Sequence, residues 1–372
     1  MPRAYVAPRP LRSRLLLQAL AEEAVRTSPC SPSGCYAVHS LSNVCSISLD
    51  SALDVAVAPG YASTGYRLRG LSWESAVAGG LEGCAAVVTG ASSGLGEATA
   101  EGLARAGARV HLVVRDRERG ERARDHVAQR LDGRAELHLA VADLAELGAA
   151  RRLAAELAER EPELAVLVNN AGVLLQGRER NSQGVELTFA TNVLGPFALT
   201  ELLLPSLRAG SPGRVITVSS GGMYTARLHG DDLQFEQRDF DGPAFYSHTK
   251  RAEVVLTELW AQRESEQGVV FAAMHPGWAD TPGLERSLPR FHRLARPLLR
   301  DARQGADTTV WLATAPARDV PSGRFWHDRR PRPTHRLPGT RESEQDRRRL
   351  WEACRELTAI EKEQPWPATR QR

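Results

Sequence analysis

Cysteine is scarce in this chain of 372 residues, and the cysteines that are present form no pattern. They are odd in number and scattered, with neither the close spacing of zinc ligands nor the density of a disulfide-stabilised domain. We therefore expect no disulfide framework, no metal site and a reducing compartment. The five positions are Cys30, Cys35, Cys45, Cys84 and Cys354.

Three further absences narrow the range of partners. The net charge of +3 is small for this length, and the central region has no basic stripe interleaved with aromatic residues, so we expect no nucleic-acid partner. No apolar run reaches the roughly 18 to 20 residues that a membrane-spanning helix needs, so we expect no transmembrane segment. Lysine is rare: of 48 basic residues only Lys250 and Lys362 are lysines, so a lysine within a motif carries weight.

Residues 1–78 show no sustained helical or strand period and contain Ser, Pro and Gly clusters, so we predict a poorly ordered N-terminal extension. The first twenty residues hold four arginines and no acidic residue, and residues 11–25 could form an amphipathic helix. That composition resembles a mitochondrial transit peptide. The alternative is an extension without a targeting role. We expect an intracellular, cytoplasmic protein and leave mitochondrial targeting open.

Residues 79–330 alternate short apolar runs with longer helical patterns, which predicts an α/β domain with a parallel sheet covered by helices on both faces. Strands are predicted at 85–89, 109–114, 136–141, 165–169, 214–219, 269–274 and 323–326. Helices are predicted at 94–106, 118–131, 147–159, 184–207, 244–263 and 304–313. Residues 331–372 form a Pro- and Arg-rich tail, in which we predict a solvated surface helix over 344–357.

The first predicted strand ends in a glycine-rich turn that leads into a helix. Gly90 permits the tight turn, Gly94 allows the backbone to approach a pyrophosphate, and Gly96 allows the helix to pack on the strand. Free N–H groups and the dipole at the helix start favour a phosphate. A loop that uses glycine only to turn is the alternative. The predicted nucleotide-binding residues of this turn are Gly90, Ser92, Ser93, Gly94, Leu95 and Gly96.

Tyr246 and Lys250 lie four residues apart at the start of a predicted helix and therefore share a face. A lysine ammonium stabilises a phenolate, so it would lower the pKa of the tyrosine from about 10 and allow proton exchange near neutral pH. A surface aromatic residue beside a surface cation is the alternative interpretation.

Five motifs of this chain occur together in a recognisable order. They are Thr89-Gly90-x3-Gly94-x-Gly96, Asn169-Asn170-Ala171-Gly172, Ser219-Ser220, Tyr246-x3-Lys250 and Pro276-Gly277. In these motifs, residues 80–330 resemble the short-chain dehydrogenase/reductase family. The resemblance implies a single Rossmann-type doubly wound parallel sheet of about seven strands in the order 3-2-1-4-5-6-7.

The resemblance also implies a catalytic role for four residues. Tyr246 would be the general acid/base for a carbonyl oxygen, and Ser220 would orient that oxygen by a hydrogen bond. Lys250 would lower the pKa of the tyrosine and hold the nicotinamide ribose. Asn192 would hold a water molecule in the proton relay, although a helical asparagine satisfied by local hydrogen bonds is the alternative.

The cofactor implied is a nicotinamide dinucleotide. Family members that bind NAD place an acidic residue at the end of the second strand, whereas this chain has Val114 followed by Arg115. A guanidinium suits a 2′-phosphate, so we predict NADP rather than NAD, with a surface arginine as the alternative. Beside the turn residues, Tyr246 and Lys250, the implied cofactor-binding residues are Arg115, Asp143, Asn170, Ala171, Gly172, Pro276, Gly277 and Thr281.

The resulting prediction is an NADP-dependent oxidoreductase that interconverts an alcohol and a ketone or aldehyde of a small, lipophilic substrate. A non-catalytic Rossmann protein that binds NADP is the alternative from another class, and an extended-type sugar epimerase is a third. Residues 221–243 resemble the longer insert of retinol-dehydrogenase-like members, where Met223, Tyr224, Leu228 and Phe235 either line the substrate pocket or fill the core. A homodimer is expected by analogy.

Overall fold

The fold is organised around a sheet whose central strands are buried on both faces, as their continuous apolar sequences require. In this computed structural model the strand order is β3-β2-β1-β4-β5-β6-β7-β8, which confirms the predicted order and adds an eighth strand. β8 pairs antiparallel with β7, and the other pairs are parallel. The strands are β1 (Ala85–Thr89), β2 (Arg109–Val114), β3 (Leu137–Val141), β4 (Leu164–Asn169), β5 (Arg214–Val218), β6 (Val270–Met274), β7 (Arg324–His327) and β8 (Arg330–Arg332).

The structure describes residues 50, 53–54, 57–73, 80–210 and 212–360. Residues 58–372 form one compact unit, and residues 1–57 form another. Residues 1–57 lie almost wholly outside the described residues, and the predicted transit-like segment lies outside them as well. The described helices are α1 (Val57–Tyr61), α2 (Ser63–Gly70), α3 (Gly94–Arg105), α4 (Arg117–Arg130), α5 (Leu147–Arg160), α6 (Leu187–Ala209), α7 (Gly242–Arg263), α8 (Pro282–Ser287), α9 (Pro289–Ala295), α10 (Ala302–Thr314) and α11 (Glu344–Thr358).

Two apolar cores cover the two faces of the sheet. Leu103 of α3 and Leu312 of α10 pack on one face, while helices α5, α6 and α7 pack on the other. Burial of these apolar faces is the main stabilising contribution of such a layered fold. β1 and β4 are neighbours although β2 and β3 intervene in sequence, so the chain direction across the sheet reverses between them. A crevice at the carboxyl ends of strands is expected at this switch point.

Helix α6 is long and apolar enough to cross a membrane, a feature that the sequence analysis did not predict. However, 83% of its most apolar stretch is buried inside the protein. Phe197, Leu203 and Leu207 of this helix are all fully buried in the core. Its apolarity is therefore accounted for by packing, as in the central helix of a layered fold.

The C-terminal helix is a core element, so the predicted solvated surface helix is wrong in that respect. Helix α11 buries Leu350, Trp351 and Cys354, and Trp351 packs edge-on against Phe197 and Trp260. Most of the charged residues that suggested solvation are exposed, but Asp346 and Arg347 are buried beside the apolar stripe that faces the core. The Pro- and Arg-rich sequence before this helix also contains the short strand β8, which the sequence analysis did not predict.

Within the predicted N-terminal extension, residues 57–73 are ordered as helices α1 and α2 with their connections. A buried carboxylate explains their attachment, because Asp328 accepts a hydrogen bond from Arg69 at 2.6 Å and from Arg300 at 2.6 Å. Arg300 also donates to the Gly60 carbonyl at 3.0 Å. This attachment depends on residues more than two hundred positions away, which local sequence patterns do not register.

Candidate active site

A cleft lies at the carboxyl ends of β1, β2 and β4, where the switch point predicts a ligand site. Twelve of the predicted cofactor-binding residues line it together, and Arg119 is an additional lining residue that the sequence analysis missed. The twelve are Gly90, Ser92, Ser93, Gly94, Leu95, Gly96, Arg115, Asp143, Asn170, Ala171, Gly172 and Thr281.

The turn of residues 90–96, here called the glycine cradle, favours glycine at three positions, by backbone conformation or by lack of space for a side chain. Gly90 and Gly94 have φ angles of +67° and +58°, which favour glycine. A Cβ on Gly96 would lie 2.3 Å from the Gly90 carbonyl oxygen, and one on Gly90 would lie 2.9 Å from Ala171 Cα. Because the backbone at the start of α3 is thus bare and faces the cleft, the cradle fits the pyrophosphate of a dinucleotide.

A polar clamp that the sequence analysis missed holds the cradle to β4. The Thr89 hydroxyl accepts hydrogen bonds from the backbone N–H groups of Asn170 and Ala171, both at 3.0 Å. The Asn170 side chain donates to the Thr89 carbonyl at 2.8 Å. Asn170 and Ala171 therefore shape the cleft by fixing its backbone, in addition to lining it.

The end of β2 presents arginine rather than carboxylate to the cleft. Arg115 and Arg119 both line the cleft, and Arg119 donates to the Ser93 hydroxyl at 3.4 Å. Asp116, the nearest carboxylate, caps α4 by accepting from the backbone N–H of Arg119 at 2.9 Å. Arg119 lies in the first turn of α4 and Arg115 just before its N-cap Asp116, and this closeness in sequence is the signal that could have found Arg119.

Ser220, Tyr246 and Lys250, here called the catalytic cluster, lie together at the start of α7 and the end of β5. Lys250 Nζ lies 5.5 Å from the centroid of the Tyr246 ring, and Ser220 is close enough to the phenol to lower its pKa. Lys250 is buried and donates to the Val218 carbonyl at 3.0 Å. The helical spacing of Tyr246 and Lys250 thus brings the phenol and the ammonium close together, and the segment after β5 adds the Ser220 hydroxyl.

Burial has the largest effect on the ionisation of the cluster. It raises the pKa of Tyr246, while the Lys250 ammonium and the Ser220 hydrogen bond lower it, and the net direction is upward. The predicted net fall in the tyrosine pKa is therefore wrong in this structure, although Lys250 acts in the predicted direction. Burial lowers the pKa of Lys250, but neighbouring Glu253 and Tyr246 raise it above its ordinary value. A neutral phenol beside an ammonium is suited to donating a proton.

Asn192 lies in a π-helical turn of α6, Ala190–Leu194, a distortion that is frequent at functional sites. Its side-chain oxygen accepts from the Val173 N–H at 2.8 Å, and its amide donates to the Val173 carbonyl at 3.0 Å. Asn192 also approaches Lys250, since a Cβ on Gly172 would lie 3.2 Å from Lys250 Nζ and 3.4 Å from Asn192 Oδ1. The cleft and the catalytic cluster therefore meet at Gly172.

The turn after β6 is held by other parts of the protein. Gly277 has a φ of +75°, and a Cβ there would lie 2.5 Å from Arg300 Nε. Pro276 and Gly277 do not belong to the lining of the described cleft, whereas Thr281 does. The predicted cofactor contacts of Pro276 and Gly277 stay predictions.

Tyr61 reaches this region from α1, a contribution that the sequence analysis missed. Its ring packs against His275 and Trp278 with centroid distances of 4.4 and 6.3 Å, and its carbonyl accepts from the Trp278 N–H at 2.9 Å. A Cβ on Gly221 would lie 2.9 Å from the Tyr61 ring, which places the ring over the turn that follows Ser220. His275 is buried and stacked on His327 at 3.8 Å, a packing role.

The insert between the serine and the tyrosine fills the core. Of the two interpretations left open for its apolar residues, burial supports packing, because Met223, Tyr224, Leu228 and Phe235 are all buried within core clusters. Tyr224 also donates its hydroxyl to the Pro333 carbonyl at 2.8 Å, which ties the insert to the chain after β8.

Comparison with known proteins agrees with this geometry. A family model described as short chain dehydrogenase matches residues 84–290, which include the glycine cradle and the catalytic cluster. The chain belongs to the short-chain dehydrogenase family. It is thus an NAD(P)-dependent dehydrogenase/reductase that acts on CH–OH groups.

Relatives within this family match most of the chain. Dehydrogenase/reductase SDR family member 12 of Bos taurus is 44% identical over 279 residues, covering 74% of this chain and 87% of the relative. Retinol dehydrogenase 12 of Homo sapiens is 34% identical over 284 residues, covering 75% and 88%. The Pseudomonas aeruginosa RhlG/NADP active-site complex has a TM-score of 0.53 and 27% identity, covering 66% of this chain and 94% of that one.

Proposed function

We propose that this short-chain dehydrogenase uses NADP to interconvert an alcohol and a ketone or aldehyde, with Ser220, Tyr246, Lys250 and Asn192 as its proton relay. One observation carries the proposal: the Lys250 ammonium lies 5.5 Å from the centroid of the Tyr246 ring and borders the cleft of the glycine cradle at Gly172, and Ser220 acts on the same phenol. A protein that only binds a nucleotide has no use for this acid/base group.

Each residue of the relay has a defined task. When bound, the dinucleotide supplies the hydride. Tyr246 donates its phenolic proton to the carbonyl oxygen as negative charge develops there, and Ser220 orients the same oxygen by a hydrogen bond. Lys250 stabilises the phenolate that remains. Asn192 supports the water molecule from which the proton is restored.

Two features of the cleft support NADP over NAD. Arg115 and Arg119 form a positive rim beside Ser93, and a guanidinium binds phosphate by charge and by paired N–H donors. Asp116, the carboxylate that could accept hydrogen bonds from a ribose 2′-OH, already caps α4. The glycine cradle, Asp143, Asn170 to Gly172 and Thr281 would hold the remainder of the nucleotide.

Exposed apolar side chains on the segment that follows the turn after β6 support a lipophilic substrate. Leu294 and Leu298, on the segment that follows the turn after β6, are 83% and 45% exposed. Trp278 and Phe291 pack edge to face with centroids 5.4 Å apart and add aromatic surface in the same region. Similarity to a retinol dehydrogenase agrees with a substrate of this chemical class.

The test is a screen of steroids, retinoids, lipid aldehydes and quinones for NADPH oxidation. The loss of absorbance at 340 nm measures the oxidation. We expect turnover with at least one lipophilic carbonyl compound, and thermal stabilisation by NADPH greater than that by NADH. Nucleotide binding without turnover of any compound would favour the non-catalytic alternative. Equal stabilisation by both nucleotides would contradict the role given to Arg115 and Arg119.

A further inference from the structure

Glu253 lies one helical turn after Lys250 on α7 and forms a buried ion pair with it. Glu253 Oε1 accepts a hydrogen bond from Lys250 Nζ at 2.7 Å, and the two side chains are only 4% and 3% exposed. Lys250 Nζ also donates to the Val218 carbonyl at 3.0 Å. Two of the three N–H donors of the ammonium are therefore hydrogen-bonded to oxygens of the protein, while Nζ still lies beside Gly172 at the cleft.

This ion pair is costly for the fold. Removing two charges from water costs several kcal/mol per ion, and replacing such a pair by apolar residues is often neutral or stabilising. A buried carboxylate at this position therefore calls for a reason other than stability. Ionisable groups that burial perturbs are concentrated at functional sites, and here the partner of Glu253 is a member of the catalytic cluster.

The electrostatic effect of Glu253 on Tyr246 opposes that of Lys250. The lysine ammonium lowers the pKa of Tyr246, whereas the Glu253 carboxylate raises it. The groups that act on Tyr246 are Lys250 and Glu253 from its own helix and Ser220 from the segment that follows β5. Ser219, in the same segment, also acts on Glu253. Burial raises the pKa of Glu253 to about 7, so Glu253 is an anion at the alkaline pH at which a tyrosine titrates.

We propose that Glu253 is a positioning residue that anchors Lys250 and, by offsetting its charge, keeps Tyr246 in the protonated form that donates to a carbonyl oxygen. The inference rests on the proposed function of Tyr246 and deepens it. It assigns the site to carbonyl reduction over a wide pH range, because the proton donor persists into alkaline solution. The helical i, i+3 spacing of Lys250 and Glu253 is the sequence signal for it.

The first test needs no substrate. Tyrosinate absorbance near 295 nm is measured as a function of pH in four full-length proteins. They are the natural chain and Glu253→Gln, and each of these two with Tyr246→Phe added. The difference within each pair isolates Tyr246 from the other five tyrosines. Glu253→Gln keeps the size and the hydrogen-bonding oxygen but removes the charge. We expect it to move the Tyr246 transition to lower pH by about one unit.

The second test measures the pH dependence of kcat/KM for carbonyl reduction with NADPH. We expect the alkaline loss of activity to begin about one pH unit lower in Glu253→Gln, and Glu253→Asp to restore most of the original profile because it keeps the charge. Glu258→Gln is the matched control, since Glu258 lies on the same helix but pairs with Arg347 at 2.7 Å. That control should leave both titrations unchanged.

The two tests separate the inference from the proposed function. A Tyr246 transition that is unchanged or moves to higher pH in Glu253→Gln would overturn the inference, whether or not any substrate is known. A Tyr246 transition at lower pH in a protein without activity would uphold the electrostatic role and contradict the proposed function. If Glu253→Gln unfolds, Glu253→Asp is compared with the natural chain instead. The inference predicts that the Tyr246 transition stays at the same pH in Glu253→Asp, and a transition about one pH unit lower would contradict the inference.

Discussion

The glycine cradle and the catalytic cluster differ in which part of the chain forms the site, the backbone in the cradle and the side chains in the cluster. The cradle works through the absence of side chains, so that bare backbone at the start of a helix can approach a phosphate. The cluster works through polar and charged side chains, and its Lys250 is held away from water in an ion pair with the neighbouring Glu253. If this contrast is correct, nucleotide binding and turnover can be lost separately, and each kind of substitution has its own signature.

The largest expected effect is the loss of turnover in Tyr246→Phe. Removing the proton donor should lower kcat by about 10²- to 10⁴-fold, the usual contribution of a general acid. NADPH affinity, measured by quenching of tryptophan fluorescence, should be unchanged because the cradle is intact. Tyr66→Phe is the control, since Tyr66 packs against Trp73 outside the cleft lining. Retained turnover would remove Tyr246 from the mechanism.

The converse variant is Gly96→Ala, in the cradle. Its Cβ would lie 2.3 Å from the Gly90 carbonyl oxygen and force the turn to move. Overpacking of this kind costs about 1–3 kcal/mol, so NADPH binding should weaken by about 10- to 100-fold. Gly148→Ala, where a Cβ on α5 would meet only Arg152 at 3.6 Å, should bind NADPH normally. Equal binding by the two variants would show that the cradle does not hold the nucleotide.

The arginine rim gives a smaller and more selective effect. The double variant Arg115→Ser with Arg119→Ser should weaken NADPH binding by about tenfold, the equivalent of one charge-assisted hydrogen bond, and leave NADH binding unaffected. Isothermal titration with the two nucleotides measures this difference. Arg117→Ser, an exposed residue on the same helix outside the cleft lining, is the control. A parallel loss for both nucleotides would contradict selection by charge.

The smallest expected effect needs no substitution. Arg115 is exposed and Arg119 half-buried, so their attraction for a 2′-phosphate is screened by salt. Raising the salt concentration from about 0.05 to about 0.5 M should weaken NADPH binding several-fold more than NADH binding. Fluorescence titration at the two concentrations measures the ratio. An identical salt dependence for the two nucleotides would argue against a specific phosphate contact.

The cradle and the sheet could be predicted because their signals are local. Six of the seven predicted strands differ from the observed ones by at most one residue at either end, and the seventh, β7, is shifted by one residue. Glycine is required in the cradle by the backbone of the turn itself, and Tyr246 and Lys250 face the same way because of helix geometry.

What sequence reasoning missed depends on contacts between distant residues. The net direction of the Tyr246 pKa follows from burial by elements that no local pattern specifies. The docking of Tyr61 requires Arg300, and the core packing of α11 requires Phe197 and Trp260. In both cases the segment itself is short or highly charged, and its apolar contribution is clear only once its partners are known.

The most direct test of the account is a crystal structure of the full chain with NADP and the measurement of where the nicotinamide lies. We predict the pyrophosphate on the glycine cradle, the 2′-phosphate beside Arg115 and Arg119, and the nicotinamide ribose within hydrogen-bonding distance of Lys250, about 2.7–3.2 Å from Nζ. A nucleotide bound in the cleft with its nicotinamide directed away from Tyr246 and Lys250 would contradict it.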